Sequence, residues 1–268
     1  NNGLVAYYPF NGNANDESGN GLHLTKYGNI ASSIDRYGSE SRAYLFDGTD
    51  DYLKRTASSL PDMPMATVSA WVKLTGSTRG TIFHDGWNAG NGKDTLLMVD
   101  DTKVGVRADK NGAALFFEPQ GGELNADIPS IKDRWAHVVW AMHADKSEIF
   151  IDGVLEDTIN QTGSMVGNHD PLMIGAWLQV DTLKQPFQGS IDDVRIYNRT
   201  LSSSEVAQLH ALEKPPVITA QPQDTTIGTG ANVTLTADAN GTGLSYQWYR
   251  NGVAIAGATG ATYTITGA

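Results

Sequence analysis

Gly189-Ser-Ile-Asp-Asp-Val-Arg-Ile-Tyr-Asn-Arg199, continued after Thr200 by Leu201-Ser-Ser-Ser-Glu-Val-Ala-Gln-Leu-His210, reads as a last strand that runs into a short capped helix. Ile191, Val194, Ile196 and Tyr197 supply the β-branched and aromatic side chains of a pleated element, with Arg195 and Asn198 at exposed positions. Asp192 and Asp193 stand out as two adjacent carboxylates in this strand. Ser202 followed three residues later by Glu205 forms a capping box. Its hydroxyl takes an orphan backbone N–H of the first turn, and the carboxylate reaches back to the cap.

Upstream of this stretch the pattern is the same: short apolar or alternating runs separated by Gly, Asn and Asp. Leu4 to Phe10, Ala43 to Phe46, Tyr52-Leu53, Thr67 to Leu74, Gly80 to His84, Thr95 to Val99, Lys103 to Arg107 and Ala114 to Phe117 are strand candidates. Trp135 to Met142, Glu148 to Ile151, Val154-Leu155 and Pro171 to Ala176 continue the series, and Asp152-Gly153 is the pair of a type I′ hairpin turn. So many strands with one late helix predict an all-β, two-sheet sandwich or jelly roll rather than a βαβ sheet.

Lys214-Pro-Pro-Val217 marks a boundary, because two prolines block both a helix and a central strand. The expected division is residues 1–213 and 214–268. In the second part, Val233 to Ala237, Leu244 to Gly252 and Ala261 to Ile265 resemble the B, C and E strands of a bacterial immunoglobulin-like domain. Trp248 takes the place of the core tryptophan of strand C. Ala237 stands where antibody domains carry a cysteine, and no strand F or G follows. The expectation is a partial immunoglobulin-like β-sandwich within a larger multimodular protein.

The 268 residues carry 19 Lys+Arg against 30 Asp+Glu, a net charge of −11. All of that excess lies before Lys214, since two residues of each sign follow Glu213. A face this acidic argues against nucleic acid or an anionic membrane surface as partner, and it favours calcium. No apolar run approaches the roughly 18 residues of a membrane-spanning helix. There is no cysteine, hence no disulfide and no thiolate metal site. Asn1-Asn2-Gly3 reads as a mature start, and the expected location is extracellular, secreted or at the cell surface.

Several motifs recur in one order: Leu4 to Phe10 with the loop Asn11 to Gly21, Phe46-Asp-Gly-Thr-Asp-Asp-Tyr52, Val68-Ser-Ala-Trp-Val72, Trp135-Ala-His-Val138, Ile151-Asp-Gly153 and Gly189 to Arg199. Together they resemble the bacterial laminin-G-like domains of the concanavalin A-like lectin/glucanase superfamily over residues 3–213. The resemblance implies a concanavalin A-like jelly roll and a glycan ligand. The loop Asn11 to Gly21 sets short oxygen-bearing side chains between glycines, which suits a hard cation taking six to eight oxygens at about 2.3–2.6 Å. It lacks the EF-hand pattern, with Asp16 and Leu22 where that motif needs glycine and glutamate. The resemblance also implies a structural calcium where this loop meets the last strand. Asn13, Asp16 and Asp192 are the expected ligands, with Asn11 and Gly48 contributing. Asx-turns with solvated carboxylates are the plainer reading of the same loop.

A sugar site needs an aromatic face and a few fixed hydrogen-bonding groups. Trp71, Trp135 and Trp140 fall at apolar strand positions and are assigned to the core. Trp87 falls in a polar, glycine-rich loop and Trp177 follows a strand end beside polar residues, and these two are the expected stacking residues. His84, Asp85, Arg107, Asp181 and Gln185 are the expected hydrogen-bonding partners. The Glu-x-Asp-x-x-Glu pattern of glucanases is missing, and no other carboxylate pair has the spacing for glycoside hydrolysis. The functional expectation is a non-catalytic, polysaccharide-binding module of an exported polysaccharide-degrading enzyme. The alternatives are a cell-surface adhesion or protein-interaction domain and, third, a lectin-fold hydrolase or lyase.

Overall fold

A computed structural model of the chain describes residues 2–55, 60–76, 78–85, 95–101, 103–110, 113–116, 128–160, 171–179, 182–212, 217–240 and 244–267. The chain divides into two compact units, Asn1–Gln208 and Leu209–Ala268. In chain order, the first unit contains β1 (Leu4–Tyr8), β2 (Leu24–Tyr27), β3 (Ala31–Ser33), β4 (Ala43–Asp47), β5 (Tyr52–Arg55), β6 (Ala66–Leu74), β7 (Gly80–Asp85) and β8 (Thr95–Val99). It continues with β9 (Val104–Lys110), β10 (Ala113–Phe116), β11 (Trp135–Met142), β12 (Ser147–Ile151), β13 (Val154–Ile159), β14 (Met173–Ile174), β15 (Trp177–Gln179), β16 (Thr182–Lys184) and β17 (Gln188–Tyr197). The helix α1 (Ser203–Leu212) crosses into the second unit.

The first sheet runs β13-β12-β11-β6-β17-β4-β3, with β1 also paired to β17; the second runs β10-β9-β8-β7-β14-β5-β2. Every pairing within them is antiparallel, as the many tight turns require. Alternate residues of both sheets enter one core: Val68, Ala70, Val72 and Trp140 from the first, Leu53, Phe83, Leu97 and Ile174 from the second. The fold is the all-β, two-sheet jelly roll with one short helix that the strand pattern predicts.

β17 lies at the centre of the first sheet, between β6 on one side and β4 and β1 on the other. Gly189 opens its contact with β6. A Cβ there would meet the carbonyl oxygen of Lys73 at 2.1 Å, and its φ is +144°, so only glycine fits. A bulge at Asp192 and Asp193 interrupts the register, with Asp193 at φ +47°. An inserted residue of this kind turns two successive side chains away from strict alternation. Asp152 and Gly153 have φ of +52° and +82°, as a type I′ turn demands. At the end of β17, Glu205 accepts hydrogen bonds from the Ser202 backbone (2.9 Å) and hydroxyl (3.0 Å), and its own N–H donates to Ser202 Oγ at 3.3 Å. This is the capping box.

In the second unit β18 (Val217–Ala220) pairs with β20 (Asp238–Asn240), β19 (Val233–Thr236) with β23 (Thr262–Ile265), and β21 (Tyr249–Arg250) with β22 (Val253–Ala254). Trp248 donates its indole N–H to the Gly260 carbonyl at 2.9 Å, and its ring lies 6.0 Å from that of Tyr263. None of the described residues from Ile218 onward is buried.

Candidate functional site on the outer face of the second sheet

Because Leu24, Leu53, Ile174, Phe83 and Leu97 point into the core, their strand neighbours point outward. Cross-strand pairing aligns them in one row: Thr25 opposite Lys54, Lys54 opposite Met173, Met173 opposite His84, and His84 opposite Leu96. The backbone of Arg107 continues the row opposite Leu96. Two residues along β2 and β5, on the same face, Tyr27 and Tyr52 are paired and stacked, with ring centroids 4.8 Å apart and planes within 2°. Tyr27 is 36 % exposed and sits on the edge strand β2. One face of its ring is covered by Tyr52. Burial, followed by the neighbouring Tyr27 and Asp50, raises the Tyr52 pKa. Its hydroxyl is therefore protonated at neutral pH and able to donate a hydrogen bond.

Of the residues expected to contact sugar, His84, Trp177 and Gln185 are brought together. The rings of His84 and Trp177 lie 5.9 Å apart, and the Trp177 indole N–H donates to Gln185 Oε1 at 3.1 Å. Trp177 is not an open loop aromatic. It starts the β15–β16 hairpin, is only 8 % exposed, and packs with Leu96 and Met98 against the outer face of the sheet. Asp85 lies elsewhere. Although adjacent to His84, it alternates to the opposite side of β7, where it is fully buried and accepts the Leu60 N–H at 3.1 Å. Arg107 holds a backbone position in β9, and Trp87 and Asp181 fall outside the described residues. Trp71, assigned to the core from sequence, faces outward from the first sheet and stacks on His137 with centroids 5.1 Å apart. His137 Nε2 lies 2.8 Å from Ser69 Oγ, with both residues fully buried within the sheet.

The residues expected to hold calcium do not fit one ion. Asp16 Oδ1 accepts the N–H groups of Tyr7 (3.0 Å) and Ser18 (2.9 Å), and Oδ2 accepts the Ser18 hydroxyl and the Leu22 N–H, both at 2.9 Å. Four donors use the roughly four lone-pair positions of a carboxylate. Burial alone would raise the Asp16 pKa, but these bonds outweigh it and hold the pKa below the ordinary value. Asn13 Oδ1 closes an Asx-turn onto the Asn15 N–H at 2.8 Å. Gly48 lies in the Asp47 to Asp51 turn beside Gln188. The carboxylates of Asp47, Asp50 and Asp51 in that turn come within 4.8 Å of one another. Asp51 there accepts the N–H groups of Asn29 and Asp47 at 2.7 and 3.0 Å. Of the expected ligands, Asn11 and Asp192 line one cavity, in which Arg36 lies 2.9 Å from Asp192.

A β-sandwich with an aromatic and polar strip on one outer sheet face belongs architecturally with the lectin-like jelly rolls. Residues 47–207, more than half of the chain, match the laminin-G-type family described as the concanavalin A-like lectin/glucanases superfamily, and the chain belongs to that family. No curated protein matches the sequence. Among solved structures, domain 4 of AbnA is similar, an extracellular arabinanase from Geobacillus stearothermophilus, in complex with arabinotriose. Its TM-score is 0.59 and its identity 21 %, over 77 % of this chain and 98 % of that one. The botulinum neurotoxin serotype G binding domain matches with a TM-score of 0.58 and 12 % identity, over 94 % of this chain and 64 % of that one. The binding domain of Paraclostridial Mosquitocidal Protein 1 matches with 0.56 and 14 %, over 94 % and 66 %.

Proposed function

We propose that the first unit is a non-catalytic carbohydrate-binding module that takes a polysaccharide on the outer face of its second sheet, with the Tyr27–Tyr52 pair as platform. The observation that carries this reading is the parallel stack of the two tyrosines beside Thr25 and Lys54. A sugar ring offers an apolar C–H face ringed by hydroxyls, and an aromatic plane flanked by donors and acceptors is complementary to it. Trp177, locked by Gln185 against His84, gives this face a rigid backing. The arabinotriose complex of the similar arabinanase domain supports the reading at the level of fold. The reading extends to an exported multimodular protein, in which such a module keeps a catalytic domain near its substrate and raises effective concentration. The second unit then serves as an immunoglobulin-like spacer, a reading supported by the antiparallel β19–β23 pair and the packing of Trp248 on Tyr263.

Retention of the full chain on a panel of neutral and acidic polysaccharides tests the proposal, with Tyr27→Ala and Tyr52→Ala beside the unsubstituted protein. Each substitution is expected to weaken binding about tenfold, the scale of one aromatic contact. Undiminished retention in the double variant would remove the site. Failure to retain any glycan would favour instead a cell-surface adhesion or protein-interaction role, a reading to which the fold likeness to toxin binding domains lends support.

A further inference from the structure

Where the family resemblance implies a structural cation, the chain places a side chain of its own. The bulge in β17 sets Asp192 and Asp193 side by side, and both meet one guanidinium nitrogen: Arg36 Nη1 lies 2.9 Å from Asp192 Oδ2 and 2.6 Å from Asp193 Oδ2. The Arg36 side chain is only 6 % exposed. Its guanidinium carbon lies 4.6 Å from the centre of the Trp71 ring and 4.3 Å from that of Tyr37. The remaining oxygens of the pair also have donors. Asp192 Oδ1 accepts the Asp193 N–H at 2.8 Å, and Asp193 Oδ1 accepts the Tyr7 hydroxyl at 2.8 Å, with Arg195 3.6 Å away. The adjoining cavity, about 150 Å³, is lined further by Pro9, Asn11, Asp35 and Arg42.

We infer that Arg36 takes the place of the metal: an internal guanidinium bridges the two carboxylates of the last strand, so that strand and bulge are held without calcium. Two buried carboxylates need compensating charge, and leaving them unpaired is strongly destabilising. A planar guanidinium can serve both at once, and aromatic faces such as those of Trp71 and Tyr37 suit it. A calcium ion instead requires six to eight oxygens at about 2.3–2.6 Å. Here Asp16 spends its oxygens on the loop, and Asn13 spends its carbonyl on an Asx-turn.

Thermal melting of the full chain, with calcium and with chelator, tests this in wild type, Arg36→Gln, Asp192→Asn and the Arg36→Gln/Asp192→Asn double variant. Arg36→Gln is expected to melt about 10 °C lower in chelator, the scale of breaking a buried ion pair in a domain of this size. Calcium should raise the melting temperature of Arg36→Gln more than that of wild type, because the pair is then open to a metal, and Asp192→Asn should erase that extra response. Wild type and Asp192→Asn should respond equally to calcium, whatever binds at other carboxylates. A wild-type calcium response that Asp192→Asn abolishes would overturn the inference, as would an Arg36→Gln variant that melts like wild type. The comparison of wild type with Asp192→Asn remains decisive should Arg36→Gln fail to fold.

Discussion

Asp85 shows what position within a strand does to a side chain. Burial pushes its pKa up to about 7, against the opposing pull of the Leu60 N–H and the Arg55 charge. The folded chain thus holds this proton more tightly than the unfolded chain. The stability linked to Asp85 is complete below the ordinary carboxylate pKa and is lost as pH rises through the folded value near 7. A shift of this size corresponds to about 4 kcal/mol. Asp85→Asn keeps an acceptor for Leu60 and removes the charge. It is expected to melt above wild type at about pH 8 and to match it near pH 4. Parallel melting curves across that range would show that Asp85 ionises without penalty. No local pattern signals this, since His84-Asp85 reads as a polar pair at the mouth of a loop. Only when β7 runs through Asp85 does alternation send one residue to the sheet face and the other to the core side. Trp71 is the reverse case. Its apolar strand position suggested the core, but it lies on the outer side of β6 beneath Arg36.

At the level of elements, legibility followed the strength of the local signal. β6, β8, β11 and β17 are rich in β-branched and aromatic residues and fall close to their expected spans. β2, β3, β15 and β16 are three or four residues long, too short for an alternating pattern to show. They exist because a neighbouring strand offers hydrogen bonds, which a pattern in one segment cannot reveal. Tyr27 meets Tyr52 only through the register of β2 on β5, a juxtaposition that neither segment displays by itself. Trp177 is buried because the β15–β16 hairpin lays it on the sheet, a placement its own polar neighbours do not signal. The helix signal was local and complete. Arg199, followed by the Ser202 backbone, holds the Glu205 pKa down to about 2, so the cap stays ionised well into acid. Ser202→Ala removes the hydroxyl that receives the Glu205 N–H. It is expected to cost about 1 kcal/mol in denaturant unfolding, with Ser202→Gly costing only a few tenths. A Ser202→Ala variant that unfolds at the same denaturant concentration as the unsubstituted protein would mean that the hydroxyl contributes nothing at this cap.

At the scale of the whole molecule the two units are organised differently. The first has a continuous core in which Tyr8, Phe10, Tyr44, Phe46, Phe83, Trp140 and Phe187 are fully buried. In the second, Leu235, Trp248, Ile255, Tyr263 and Ile265 line an open groove of about 580 Å³, and Ile218, Tyr249 and Val253 are more than 60 % exposed. Local stability depends on buried apolar contact and on hydrogen bonds shielded from water. The pairings β6–β17 and β19–β23 are both antiparallel, and it is the β6–β17 ladder that a bulge interrupts, so slower exchange there would report burial rather than backbone regularity. Amide hydrogen exchange on the full chain should therefore find β6 and β17 exchanging only through global opening of their unit, with β19 and β23 exchanging orders of magnitude faster. Slow exchange in β19 and β23 would mean that the apolar side of Trp248 and Tyr263 is covered in solution, by a second copy of the chain or by another partner. Its dependence on protein concentration would then tell those two apart, because self-association alone strengthens protection as the chain is concentrated.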